Sequence, residues 1–331
     1  MKQFFAVLFF TSLFSISFSQ AIAQTAQVVP GLYVKTYGES KKAPLIFIHG
    51  GPGYDSQNFE YTTAQKIADK GFFVVIYDQR GQGRSDVVTN PEIYKYKAYA
   101  DDLMAIINSF KIKAPVLIGH SHGGDIALKF EEYYPNVAQK IILVSAPVNF
   151  WSSMQNIELN CSKKYKTKKD VASEDDLKKT FQTLNTKGIS LQDEVQYTSR
   201  AFQSAMKCGL YQPSRPTKES IKLNKFVEEK YIKPPQENLM YPMGNFIVYE
   251  NYTHIDYSNF VVKNASKIFG IYGSDDGLFS TKTFDEIKSS LSTNKSKWAF
   301  TLINDSSHNV FIDQQEEFLK SIDRIVKAKI K

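Results

Sequence analysis

The stretch LIGHSHGGDIALKF, Leu117 to Phe130, sets two histidines beside a serine flanked by glycines. Three readings compete: Ser121 as a nucleophile, His120 and His122 as metal ligands, or a tight turn before a helix. The residues before Ser121 are apolar, like the end of a buried strand, and those after it have helical character. Between them stands G-x-S-x-G, formed by Gly119, Ser121 and Gly123. A sharp strand-to-helix turn projects a serine Oγ outward, and a bulky residue at either glycine would collide with the adjoining backbone. The following helix also aims unpaired N–H groups at this point, which favours developing negative charge. A zinc site would need a third ligand and usually a second paired spacing, and neither stands out. Ser121 is therefore read as the nucleophile, with no metal and no cofactor.

Outward from this turn, strands and helices alternate. GLYVKTYG (31–38) has the alternation of a half-exposed strand. APLIFIHG (43–50), GFFVVIYD (71–78), APVLIGHS (114–121) and AQKIILVSAP (138–147) are short apolar runs ending in turn residues. YKAYADDLMAIINSF (96–110) has helical spacing. Continuous apolar strands separated by helices imply a mostly parallel sheet covered on both faces. The pattern lapses over 148–263, which is polar and Lys-rich, with helical character in SEDDLKKTFQTL (173–184) and KESIKLNKFVEEKY (218–231). It resumes with SKIFGIYG (266–273), a helix TFDEIKSSLS (283–292), a strand KWAFTLIN (297–304) and a last amphipathic helix. The organisation expected is a core over 24–147 and 264–331, interrupted by a mainly helical insertion over 148–263.

A serine nucleophile needs a base, and the chain has five histidines. His120 and His122 adjoin Ser121, where their side chains should diverge from Oγ. His49 opens a glycine turn, and His254 lies in the insertion. His308 follows a predicted strand and precedes the last helix, at the carboxyl edge of the sheet, so it is read as the general base. An acid must fix its tautomer, and Asp275 and Asp276 both lie just past the preceding strand. The order Ser, Asp, His suits a nucleophile elbow. An oxyanion hole is also required. HGGPG, His49 to Gly53, offers a backbone N–H from Gly51, or from Gly50 in its place, and the His122 N–H is the second donor.

HGGPG, DQRGQGRS (Asp78 to Ser85), the serine elbow, the Gly273–Asp276 turn and HNVFIDQQEEF (308–318) together resemble the α/β-hydrolase superfamily. HGGPG with DQRGQGRS is most similar to its proline iminopeptidase branch. The resemblance covers 30–147 and 264–330. It implies an α/β-hydrolase fold with a mainly helical cap, an acyl-enzyme mechanism, and Asp276 as the acid, three residues after Gly273. Two features depart from that branch. The elbow reads G-H-S-H-G where the branch usually has G-G-S-W-G, and VYENYTH (248–254) is a loose echo of the glutamate motif that holds a substrate's free amine. Glu250, framed by Tyr249 and Tyr252, is the expected amine partner. The resemblance implies an aminopeptidase acting on short peptides or amino-acid amides. A carboxylesterase or lactonase on small acyl substrates is the alternative, and a non-enzymatic binding protein on the same fold is a third.

The remaining features bound the setting. Lys2, an apolar segment and AIA ending at Ala23 read as a secretory signal over 1–23, which implies export to a periplasmic or extracellular space. No later stretch is long and apolar enough for stable membrane insertion. The formal net charge is +7, and the lysine run from Lys163 to Lys169 reads as a solvated face, with no nucleic-acid motif beside it. The only two cysteines, Cys161 and Cys208, are expected to bond in an exported chain. The expected partner is a small-molecule or short-peptide substrate. Oligomeric state is left open.

Overall fold

The computed structural model describes residues 29–328, so the signal-peptide reading of 1–23 lies outside the described residues. Among the described residues seven strands form one sheet in the order β1-β3-β2-β4-β5-β6-β7. They are β1 Val34–Tyr37, β2 Ala43–Ile48, β3 Phe72–Tyr77, β4 Val116–His120, β5 Lys140–Val144, β6 Ile268–Gly273 and β7 Phe300–Ile303. Only β1 runs antiparallel to its neighbour; the other pairings are parallel. Every residue of β3, β4, β5 and β6 is buried, which is why these strands read as unbroken apolar runs rather than alternations. Ile46, Ile48, Val75, Leu117 and Leu143 feed one apolar cluster. Leu45, Phe47, Val74, Ile118 and Ile142 feed the other. Period-2 side-chain alternation thus fills a core on each face.

The helix Tyr96–Ser109 buries Tyr96, Tyr99, Ala100, Leu103, Ile106 and Ile107, the one-sided spacing of an amphipathic helix. Between β5 and β6 stand the helices Phe150–Lys168, Val171–Leu184, Leu191–Lys207, Lys218–Lys230 and Gln236–Glu250, then the short Ser258–Lys263. Sequence spacing picked out two of these. Gln236–Glu250 carries Pro242 inside it, a residue that ordinarily argues against a helix. Cys161 and Cys208 are disulfide-bonded, tying Phe150–Lys168 to the end of Leu191–Lys207. Among the described residues no helix is long and apolar enough to cross a membrane.

Candidate active site

Ser121 lies between β4 and the helix His122–Tyr133 with φ 52° and ψ −128°. That is a conformation non-glycine residues rarely adopt, and it clusters at functional sites. The turn is held on both sides: the Ser121 N–H donates to the Val144 carbonyl at 2.9 Å, and the Gly124 N–H to the Ser121 carbonyl at 2.8 Å. Gly123 is required by close approach, since a Cβ there would sit 2.1 Å from the Ile48 carbonyl oxygen. Serine at a helix N-cap usually accepts a backbone N–H. The Ser121 hydroxyl makes no such cap bond.

His308 Nδ1 lies 2.8 Å from Asp276 Oδ2, and both side chains are buried. With Nδ1–H donated to the carboxylate, the neutral ring presents the Nε2 lone pair as its acceptor. Asp275 is occupied elsewhere, accepting from the Ser214 N–H at 2.7 Å and from its hydroxyl. The ring of Tyr211 meets the His308 ring edge-on at 5.2 Å. His120 meets the backbone and ring of His308. Its Nε2 lies 3.0 Å from the His308 carbonyl oxygen, and the two rings are 4.9 Å apart. Burial, then the neighbouring His308, lowers its pKa to about 3, so the ring is neutral. His122 is packed against Tyr96, Phe246 and Tyr252. Among the described residues no group of three or more His, Cys, Asp or Glu side chains is placed to hold a metal ion.

The glycine turn after β2 is held from behind by DQRGQGRS. Gln79 donates its side-chain N–H to the His49 carbonyl at 2.7 Å, and its backbone N–H to His49 Nε2 at 2.9 Å. The Gln82 amide oxygen accepts the Gly53 N–H at 2.7 Å. Asp78 accepts from the Ser56 N–H and hydroxyl and from Arg84. Burial alone would raise the Asp78 pKa, but the Arg84 hydrogen bond and charge hold it below the ordinary value. Gly51 has φ +132°, and a Cβ there would meet the Gly53 nitrogen at 2.8 Å. Sequence reading used DQRGQGRS only as a family mark and missed this scaffold. The signal available was a run of charged and amide side chains between apolar elements.

A cavity of about 330 Å³ opens onto these groups. Gly50, Gly51, His120, Ser121 and His308 line it from the core, and Phe150, Ser153, Phe202 and Met243 from the insertion. His122 opens its helix, so its N–H is among those with no intrahelical partner. Glu250 is not among the residues that line the cavity. Its carboxylate accepts the Tyr96 N–H at 3.2 Å, at the positive end of the helix Tyr96–Ser109. Asn251 then turns the chain in a left-handed conformation. Tyr252 reaches the cavity wall, while Tyr249 stays exposed. Among the described residues no Asp, Glu, Lys or Arg lines the cavity.

The family model for the alpha/beta hydrolase fold matches residues 43–315. The chain belongs to that family. This hydrolase is 26% identical over 307 residues to the proline iminopeptidase of Clostridioides difficile, covering 89% of the chain and 94% of that protein. Its fold matches the crystal structure of a proline iminopeptidase-related protein from Thermus thermophilus, with TM-score 0.65 at 19% identity, over 91% of this chain and 96% of that one. It also matches an esterase from Exiguobacterium antarcticum, with TM-score 0.59 at 17% identity, over 90% and 96% of the two chains. At those identities the solved structures speak for the fold. In the hydrolase, Ser121, His308, Gly50 and Gly51 share one cavity, and Asp276 stands behind His308.

Proposed function

We propose that this chain is a serine hydrolase acting through an acyl-enzyme on small uncharged carbonyl compounds, esters or lactones. Ser121 Oγ attacks the carbonyl carbon while His308 Nε2 takes the hydroxyl proton, and the oxyanion rests on the N–H groups of Gly51 and His122. Collapse breaks the bond to the leaving oxygen, which receives the proton from His308. Water then attacks the acyl carbon with His308 again as base, releasing the acid and restoring Ser121. Asp276 steadies the imidazolium in both steps.

The observation that carries the substrate class is the cavity wall. A free amine is a cation, and holding it out of water requires a carboxylate partner. Among the described residues no carboxylate lines this cavity, and Glu250 is engaged with the Tyr96 backbone. A second reading, an aminopeptidase on N-terminal proline, is supported by the full-length likeness to the Clostridioides difficile enzyme. Parallel assays of short-chain aryl esters and of prolyl, alanyl and leucyl arylamides decide between them. Ester turnover exceeding arylamide turnover supports the first reading. Arylamide turnover that N-acetylation abolishes supports the second. The disulfide between Cys161 and Cys208 supports the further proposal that the chain works outside the cytoplasm, after loss of residues 1–23.

A further inference from the structure

We infer that Ser153 reads an uncharged oxygen function on the substrate, so that the compounds taken are carbonyl compounds carrying a second, neutral oxygen. This rests on the reading of Ser121 as the acylated residue and adds to it the chemistry of the group that is recognised. Ser153 lies in the first turns of Phe150–Lys168 and is 5% exposed. Its Oγ is buried and, among the described residues, has no hydrogen-bond partner. Several buried polar atoms share that condition among the described residues, but only this one belongs to a residue lining the cavity.

A buried hydroxyl without a partner is destabilising, and a helical serine has a ready remedy in the carbonyl four residues back. Thr167 of the same helix takes it, donating to the Lys163 carbonyl at 2.9 Å. Ser153 does not. Ser153 is one of the residues of a wall that also includes Phe150, Phe202, Met243 and Leu278. A hydroxyl both donates and accepts, so it suits an alcohol or a carbonyl oxygen, whereas an ionised group would find no countercharge on this wall. The lining phenols of Tyr211 and Tyr252 stay neutral, since burial raises the pKa of both. Hydroxy- and oxo-acyl esters, hydroxy- and oxo-substituted lactones and glycol-type esters are the matching class.

Two matched pairs test the inference: aryl butyrate against aryl 3-hydroxybutyrate, and ethyl butyrate against 2-hydroxyethyl butyrate, followed by acid release. In one pair Ser153→Ala lowers kcat/KM of the oxygenated member about tenfold more than that of its hydrocarbon match. Ser153→Thr, which keeps a hydroxyl, retains most of the preference. The thermal midpoint of Ser153→Ala stays level or rises, because an unpaired buried hydroxyl has been removed; a purely structural serine would lower it. Equal losses within both pairs, or no loss in either, overturn the inference. Ser121-dependent hydrolysis of the plain butyrates without any oxygen preference defeats this inference alone. Absence of Ser121-dependent hydrolysis defeats the hydrolase reading and this one together.

Discussion

His120 Nε2 lies 3.0 Å from the carbonyl oxygen of His308, so the residue before the proposed nucleophile holds the backbone of the proposed base. A carbonyl only accepts, and Nε2 therefore carries the proton. Losing this donor leaves a buried carbonyl unpaired and loosens the loop that aims His308. His120→Ala is expected to lower kcat about tenfold, with KM little changed, the loss matching an unmade buried hydrogen bond. His120→Gln, which can still donate, falls less. Steady-state kinetics on an aryl ester check this. A pure KM effect would instead make His120 a substrate contact.

The adjacent aspartates separate cleanly. Asp276 meets His308 Nδ1, whereas Asp275 meets Ser214. Asp276→Asn is expected to cost about 10³- to 10⁴-fold in kcat, the scale of losing the tautomer-fixing acid. Asp275→Asn should cost far less. The reverse ranking would assign the acid to Asp275.

Asp125 gives a pH signature. It is buried, its Oδ1 has no partner among the described residues, and burial raises its carboxyl well above the ordinary pKa. The folded chain thus binds a proton that the unfolded chain releases above about pH 4. That contribution is fully present below the unfolded pKa and is lost as pH rises through the folded one. Asp125→Asn removes it, so urea unfolding should show the variant gaining on wild type between pH 5 and pH 7, by up to about 1.4 kcal/mol per pH unit. Parallel curves would place the Asp125 proton elsewhere.

Cys161 and Cys208 are 47 residues apart in sequence and bonded. Cys161→Ser with Cys208→Ser is expected to lower unfolding free energy by roughly 2–4 kcal/mol, mainly by freeing the unfolded chain. Peptide mapping without reductant should recover one linked pair. Two free thiols after purification from an oxidising compartment would contradict the bond.

The strands were legible because the core gives each a short apolar run bounded by turn residues, from Ala43–Ile48 through Phe300–Ile303. The elbow was legible because its glycines are forced by backbone contact, as at Gly123. The insertion was less so. Phe150–Lys168 ends in an exposed, Lys-rich stretch, and Pro242 interrupts Gln236–Glu250, so local pattern and structure part company there. Glu250 was assigned by position within a short motif. What fixes it is the Tyr96 N–H, 154 residues distant in sequence. Gln79 and Gln82 were missed for the same reason: their partners, His49 and Gly53, lie on another strand-end loop.

The central claim is an acyl intermediate on Ser121, and trapping it is the most direct test. Rapid acid quench of the folded protein with an activated aryl ester, then intact-mass and peptide analysis, should show one acyl group on the peptide holding Ser121. The adduct should be absent from Ser121→Ala, whose turnover falls by several orders of magnitude, about 10⁶-fold at the extreme. In His308→Ala it should form slowly. Ester hydrolysis that persists in Ser121→Ala, or an acyl group found on another residue, would contradict the account.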